Sequence, residues 1–288
     1  MAIDPKFFMV DRDGAVVIWR FFFPPKNIWT GETAMEFNDL VEEFYEDKDL
    51  RVGIMTSAMP DVFVQHFDVS ILVEMGEQLL KSPPPPPTGE RPKPRGIYRR
   101  GPKPVIAAIN ANLSGGGLEL TMACDFRFMS RTASAAQSEV NVGILPGGGG
   151  TQRMPRLVGL PKALELMLTG RRVFADEAER IGLVTKACDP MMLMPETLQF
   201  AKELAARPPL AVQHIRTCVY EGWDMPIDKG LEMEGQLFQE LVKSPEALER
   251  MRNYVNSGQP SASARLAAER AEIERQWKER LAKKQQGK

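Results

Sequence analysis

The chain has 288 residues, 43% hydrophobic and 26% charged, with a formal net charge of −1. That length suits one large α/β domain or a core with a smaller appendage, and the balanced charge recruits neither nucleic acid nor an anionic membrane surface. No apolar run approaches the roughly 20 residues of a membrane span, so a membrane protein is excluded as well.

The start, MAIDPKFFMV, lacks the basic-then-apolar layout of a signal peptide. After Gly14, AVVIWRFFF (15–23) is β-branched and aromatic and ends at Pro24-Pro25, which predicts a strand. Phe37, Leu40, Val41, Phe44 and Tyr45 recur at helical spacing and predict an amphipathic helix over 32–46. RVGIMTS (51–57) is a short apolar run suited to a buried strand. Helical spacing returns with Val69, Leu72, Val73, Leu79 and Leu80. Pro83 to Pro87 and the basic TGERPKPRGIYRRGPK then interrupt the pattern, so 82–103 reads as a surface loop, polyproline-like at its start. Two roles stand open for it: a solvated connector, or a basic rim over a phosphate-bearing ligand.

PVIAAIN (104–110) is another buried strand, GGGLELTMAC its turn and following helix, and DFRFMS (125–130) a further strand. This strand–helix alternation favours right-handed crossovers and parallel pairing. From Phe174 to Asn256 the chain turns helical. A break, SGQPSAS (257–263), precedes a charged helix with a narrow apolar stripe of Leu266, Ile273, Trp277 and Leu281, expected to dock on a subunit or on the domain itself. Cys124, Cys188 and Cys218 are scattered, without CxxC or metal-ligand spacing, which implies reduced thiols in a cytoplasm. Two histidines are too few for a His-rich metal site. Of these, His214 sits in an amphipathic helix and reads as structural.

Gly115 to Gly117, followed by Glu119 inside an apolar stretch, imply backbone that something must approach closely. PVIAAINANLSGGGLEL, SEVNVGILPGGGGTQRM (138–154) and LTGRRVFADEAERIGLV (168–184) together resemble the enoyl-CoA hydratase/isomerase (crotonase) family, in family order and spacing, with likeness from about Val16 to Asn256. The resemblance implies an α/β spiral of ββα turns over 1–195, a helical oligomerisation region over 196–257, and a linker with a charged helical tail over 258–288. It implies an acyl-CoA substrate, coenzyme A entering only as part of that substrate, no other cofactor and no metal, and a homotrimer or dimer of trimers.

Family members hold the thioester oxygen with two backbone N–H groups, and such preorganised donors are worth about 3 kcal/mol each as charge develops on that oxygen. By resemblance Gly116 supplies one donor and Phe67 the other, with Asp68, Val69 and Ser70 completing the ester-binding loop. Glu139 handles the proton at the carbon next to the carbonyl, and Glu119 holds and activates water. Two carboxyls can divide that work when burial separates their pKa values. PGGGG (146–150) lacks the lysine and Ser/Thr of a phosphate-binding loop and is expected to line the acyl pocket. Two departures stand out: Ala111 follows Asn110 where the family has glycine, and His66 occupies another glycine position. His66 either fills space or contacts substrate as donor or acid–base. Hydration of a 2-enoyl-CoA is the favoured reaction. Double-bond isomerisation, aromatic hydratase–lyase chemistry, a hydrolase using His66 and a non-catalytic binding protein are the alternatives.

Overall fold

The computed structural model describes residues 4–82, 94–99, 101–257 and 262–286. The chain divides after Gly230 into two compact units.

The first unit is built from two sheets that the chain visits alternately. β1 (Phe8–Asp13) and β2 (Val16–Phe21) form an antiparallel hairpin, followed by α1 (Gly31–Glu46). The chain then repeats a long strand, a short strand and a helix. β3 (Val52–Ser57), β4 (Val62–Val64) and α2 (Val69–Lys81) make the first turn. β5 (Val105–Ile109), β6 (Asn112–Ser114) and α3 (Gly116–Thr121) make the second. β7 (Phe126–Ser130) and β8 (Ser134–Ala136), then α4 (Gly150–Val158) and α5 (Leu160–Thr169), make the third. β9 (Arg172–Phe174), α6 (Ala175–Arg180), β10 (Lys186–Cys188) and α7 (Leu193–Ala205) close the series.

Long strands form one sheet in the order β1-β2-β3-β5-β7-β10, and short strands another in the order β4-β6-β8-β9. From β2 to β10 every pairing in the large sheet is parallel. Parallel strands need crossovers that cover both faces, and that explains why β3 and β5 are buried at every residue. Alternation sorts the side chains: Val16 and Ile18 pack with Leu193 and Ala201 of α7, whereas Val17, Trp19 and Phe21 join the core with Phe37 and Phe44 of α1. α7 therefore serves the sheet, and the packing that starts at β2 runs past residue 195. The apolar spacing expected for α1 is its buried face, and Thr30 caps the helix by a reciprocal bond pair with Thr33. β1 was not among the predicted strands. Its residues 9 to 13 are not buried, so FMVDRD carries only half a pattern.

Two segments between β4 and β5 bear on the cavity and on α1. α2 forms as its spacing predicts, yet none of its residues is buried. Its apolar residues face the cavity described below or solvent, with Leu80 87% exposed. The polyproline-like start of the 82–103 segment lies outside the described residues. Its described basic groups bind α1: Arg95 pairs with Asp39 at 2.8 Å, Arg99 with Glu42 at 2.7 Å, and Lys103 donates to the carbonyls of Phe44 and Asp47. These three cations therefore pair with α1.

α8 (Pro209–Gly222) carries His214, which is buried as a structural residue would be, and Arg216, which pairs with Asp125 at 2.9 Å. α9 (Ile227–Lys243) spans the division after Gly230, and α10 (Pro245–Asn256) and α11 (Ala262–Gln286) lie in the second unit. On α11, Leu266, Ile273 and Trp277 are exposed; Leu281 lies outside the described side chains. No helix among the described residues is long and apolar enough to cross a membrane.

Candidate active site

The short-strand sheet places three loop segments around one cavity of about 1010 Å³. The segment after β4 contributes His66, Phe67 and Val69; the start of α3 contributes Gly115, Gly116 and Glu119; the segment after β8 contributes Ser138 and Glu139. β4, β6 and β8 are parallel neighbours, so the three connections emerge at the same edge. The fold thus gathers residues 66, 116, 119 and 139 from three separate turns.

Phe67 forms an isolated parallel bridge with Trp29. Its bonds, Trp29 N–H to the His66 carbonyl and Asp68 N–H to the Trp29 carbonyl, both 2.8 Å, use the groups on either side of Phe67. The Phe67 N–H takes no part in this bridge. A Cβ built on Gly116 would lie 3.5 Å from that nitrogen and 3.3 Å from the Phe67 Cβ. Residues 67 and 116 are therefore close neighbours on the cavity, and glycine at 116 leaves the backbone of residue 67 room.

Gly115 has φ +53°, a conformation that L side chains rarely adopt, and its Cβ would lie 3.0 Å from Glu139 Oε1. Glycine here both allows the turn into α3 and leaves room for the acid. Glu119 is 4% exposed, and its Oε1 accepts from the Gly150 N–H at 2.6 Å. A Cβ at Gly148 would lie 2.7 Å from Glu119 Oε2, and one at Gly150 2.9 Å from Oε1. The 146–150 loop lines the cavity through Gly147 and Gly148, as expected of it. Its further task, which the sequence did not reveal, is to close around the Glu119 carboxylate. Arg153 of α4 holds that loop by donating to the Gly148 carbonyl at 2.7 Å.

Glu139 opens a 3-10 turn, is half-buried, and accepts at Oε1 from Gln137 Nε2 at 2.9 Å. Its Oε2 is buried and has no hydrogen-bond partner among the described residues. Burial, chiefly, pushes its pKa above the ordinary carboxylate value, with the nearby Glu119 adding to the rise; Gln137 and His66 oppose it. Burial therefore favours the protonated form of Glu139.

Asp68 and Ser70 do not line the cavity. Asp68 is the N-cap of α2 and accepts from the Ser70 N–H at 2.9 Å and the Ser70 hydroxyl at 2.7 Å. These two residues fix the start of the helix whose next turn supplies Leu72, Met75 and Gly76 to the wall. Asn110, followed by Ala111, ties the ends of β3 and β5 by accepting from the Ser57 N–H and donating to the Ser57 and Met59 carbonyls.

Tyr98 and Arg127 were not singled out from sequence. Tyr98 lines the cavity, and burial pushes its hydroxyl up to about 12. Arg127 is 5% exposed and donates to the carbonyls of Thr121, Cys124 and Leu183, holding the end of α3 that lies farther from Gly116. A lone arginine within the apolar run DFRFMS was the available signal.

Two sheets that the chain visits alternately, with Glu119 and Glu139 on one cavity, are the architecture of the crotonase fold. Residues 11–264 match the model of the enoyl-CoA hydratase/isomerase family, and the chain belongs to that family. It is 32% identical over 251 residues to a short-chain-enoyl-CoA hydratase of Clostridium acetobutylicum, covering 86% of this chain and 94% of that relative. It is 35% identical over 223 residues to a crotonyl-CoA hydratase of Syntrophomonas wolfei, covering 74% and 80%. The crystal structure of an enoyl-CoA hydratase from Bacillus anthracis superposes with a TM-score of 0.76 at 28% identity, over 88% of this chain and 98% of that one.

Proposed function

We propose that the protein hydrates 2-enoyl-CoA thioesters, and catalyses the reverse dehydration, with Glu119 and Glu139 as its acid–base pair. The observation that supports this reading is that Phe67, Gly116, Glu119 and Glu139 line one cavity. In this mechanism the thioester oxygen accepts from the two N–H groups, which draws electrons from the conjugated double bond. Water held at Glu119 gives its proton to that carboxylate while its oxygen adds to the β-carbon. Protonated Glu139 then gives its proton to the α-carbon as the enolate collapses to the thioester. The wall beyond the acids, with Trp29, Leu72, Met75, Val142 and Ile144, is apolar and favours a hydrocarbon acyl chain over a polar one.

The same reading assigns the chain to a homotrimer or dimer of trimers, supported by the exposed Leu160, Leu164 and Leu168 along α5. It assigns a reducing cytoplasm, supported by the three free thiols. Coenzyme A enters as part of the substrate, and no other cofactor has a part in the scheme.

A panel of 2-enoyl-CoA esters, followed in parallel by loss of enoyl absorbance and by release of thiol, tests the assignment. Hydration without thiol release is the expected outcome. Thiol release as the sole reaction would replace it with a hydrolase, and conversion of 3-enoyl to 2-enoyl esters alone would replace it with an isomerase.

A further inference from the structure

His66 is the residue of the cavity that neither the hydration scheme nor the packing accounts for. It is half-buried and lines the same cavity as both acids. Its backbone is fixed by the bond from Trp29 N–H to its carbonyl. Its ring is fixed too, because Nδ1 lies 2.7 Å from the Phe67 carbonyl. A carbonyl only accepts, so Nδ1 carries the proton, and in the neutral ring Nε2 is the acceptor. The bond thus selects one tautomer and leaves Nε2 available for exchange.

Glu139 is next to it. The position a Gly115 Cβ would occupy is 3.0 Å from Glu139 Oε1 and 3.7 Å from the His66 Cβ. Gly115 thus borders both residues, and no side chain at 115 stands between them. On the Glu139 side, Oε1 is taken by Gln137 whereas the buried Oε2 has no hydrogen-bond partner among the described residues. A buried carboxyl that must lose and regain a proton at each turnover needs a route for that proton, and Gln137 cannot titrate. The other charged groups on this side are Asp68 at the start of α2 and Glu119 on α3.

We propose that His66 acts through Glu139 as a positioning and proton-relay residue, returning to its carboxylate the proton that Glu139 delivers to the α-carbon. The inference rests on the assignment of Glu139 as the α-carbon acid. In the hydration direction the α-carbon gains a C–H bond and Glu139 becomes a carboxylate. The His66 imidazolium then gives its Nε2 proton to that carboxylate. The neutral ring regains a proton from solvent, which has received the one that Glu119 took from water. No proton is created or lost, and no oxidant or reductant takes part.

The test is exchange of the α-hydrogens of a saturated acyl-CoA with solvent deuterium, read by mass spectrometry on the full-length protein. It is paired with a calorimetric Kd for the same ester and a hydration assay. His66→Gln keeps size and hydrogen bonding but cannot carry the proton. It should slow exchange about tenfold or more while Kd stays within about twofold. Added imidazole should restore part of the exchange in His66→Gly. A His66→Gln protein that exchanges and hydrates at the wild-type rate overturns the relay, as does a loss confined to Kd or to failed rescue by imidazole. Should the wild type exchange α-hydrogens without hydrating any enoyl-CoA, the hydratase reading falls while the relay stands. A wild type that does neither overturns both.

Discussion

The large-sheet core and the cavity wall are built on opposite rules within the same turns of chain. In the core, β3 and β5 bury every residue, and Trp19, Phe37 and Phe44 meet edge to face. Around the cavity, α2 buries nothing, two acids stand among apolar side chains, and glycines at 115, 148 and 150 leave the space those acids occupy. Stability comes from filling volume, whereas the site depends on withholding side chains so that amides and carboxyls can converge. A methyl group removed from the first region and a methyl group added to the second should therefore do opposite things to stability and to rate.

The largest effect is expected in the core. Phe44→Ala removes a fully enclosed ring against Trp19 and should cost about 3–5 kcal/mol of stability, read by denaturant unfolding. The activity per folded molecule should stay within about twofold of wild type, since Phe44 does not line the cavity. A Phe44→Ala protein that keeps its stability and loses turnover would dissolve the distinction between the regions.

Gly148→Ala should do the reverse. Its new Cβ would press on Glu119 Oε2 from 2.7 Å, so hydration should fall about 10- to 100-fold with little change in melting temperature. Gly147→Ala, one residue earlier, meets nothing within 4 Å and should leave the rate within about twofold. Equal losses in the two variants would mean that loop flexibility, not room for the carboxylate, is what the glycines provide.

The smallest effect is one of stability at the site itself. Burial holds Glu139 above its ordinary value of 4.5, so its ionisation opposes folding at neutral pH. That penalty is fully relieved below the ordinary carboxylate range and reappears as pH rises through the raised value. Glu139→Gln should therefore melt above wild type at about pH 7, with the difference shrinking as pH falls through about 4.5. A melting difference independent of pH would show that the acid is not under strain from burial.

The two regions also differ in how well the sequence reports them. Apolar runs at 16–21, 52–57 and 105–109 read as strands because burial on both faces leaves no polar interruption. α1 read as a helix because one face is buried, and its spacing shows it. β1 was missed since a hairpin strand with one buried end has no such pattern. Glu119, Glu139 and Gly116 were legible as cavity residues because three motifs stood in one order, and His66, Phe67 and Val69 followed from the resemblance those motifs carry. Asp68 and Ser70 came with the same loop, where a helix cap and a ligand contact draw on the same residue types. The grip of Gly150 on Glu119 joins residues 31 apart, and the bond from Arg127 to the Leu183 carbonyl joins residues 56 apart. No local pattern encodes such pairs.

The central claim is that Glu119 and Glu139 serve one bound thioester as a unit. Hydration rates of Glu119→Gln, Glu139→Gln and the double variant on a preferred 2-enoyl-CoA test it most directly. Each single change should lower kcat about 10²- to 10⁴-fold, and the double variant should lose far less than the product of the two. A Glu119→Gln protein that hydrates at near the wild-type rate, or losses that simply multiply, would contradict the account.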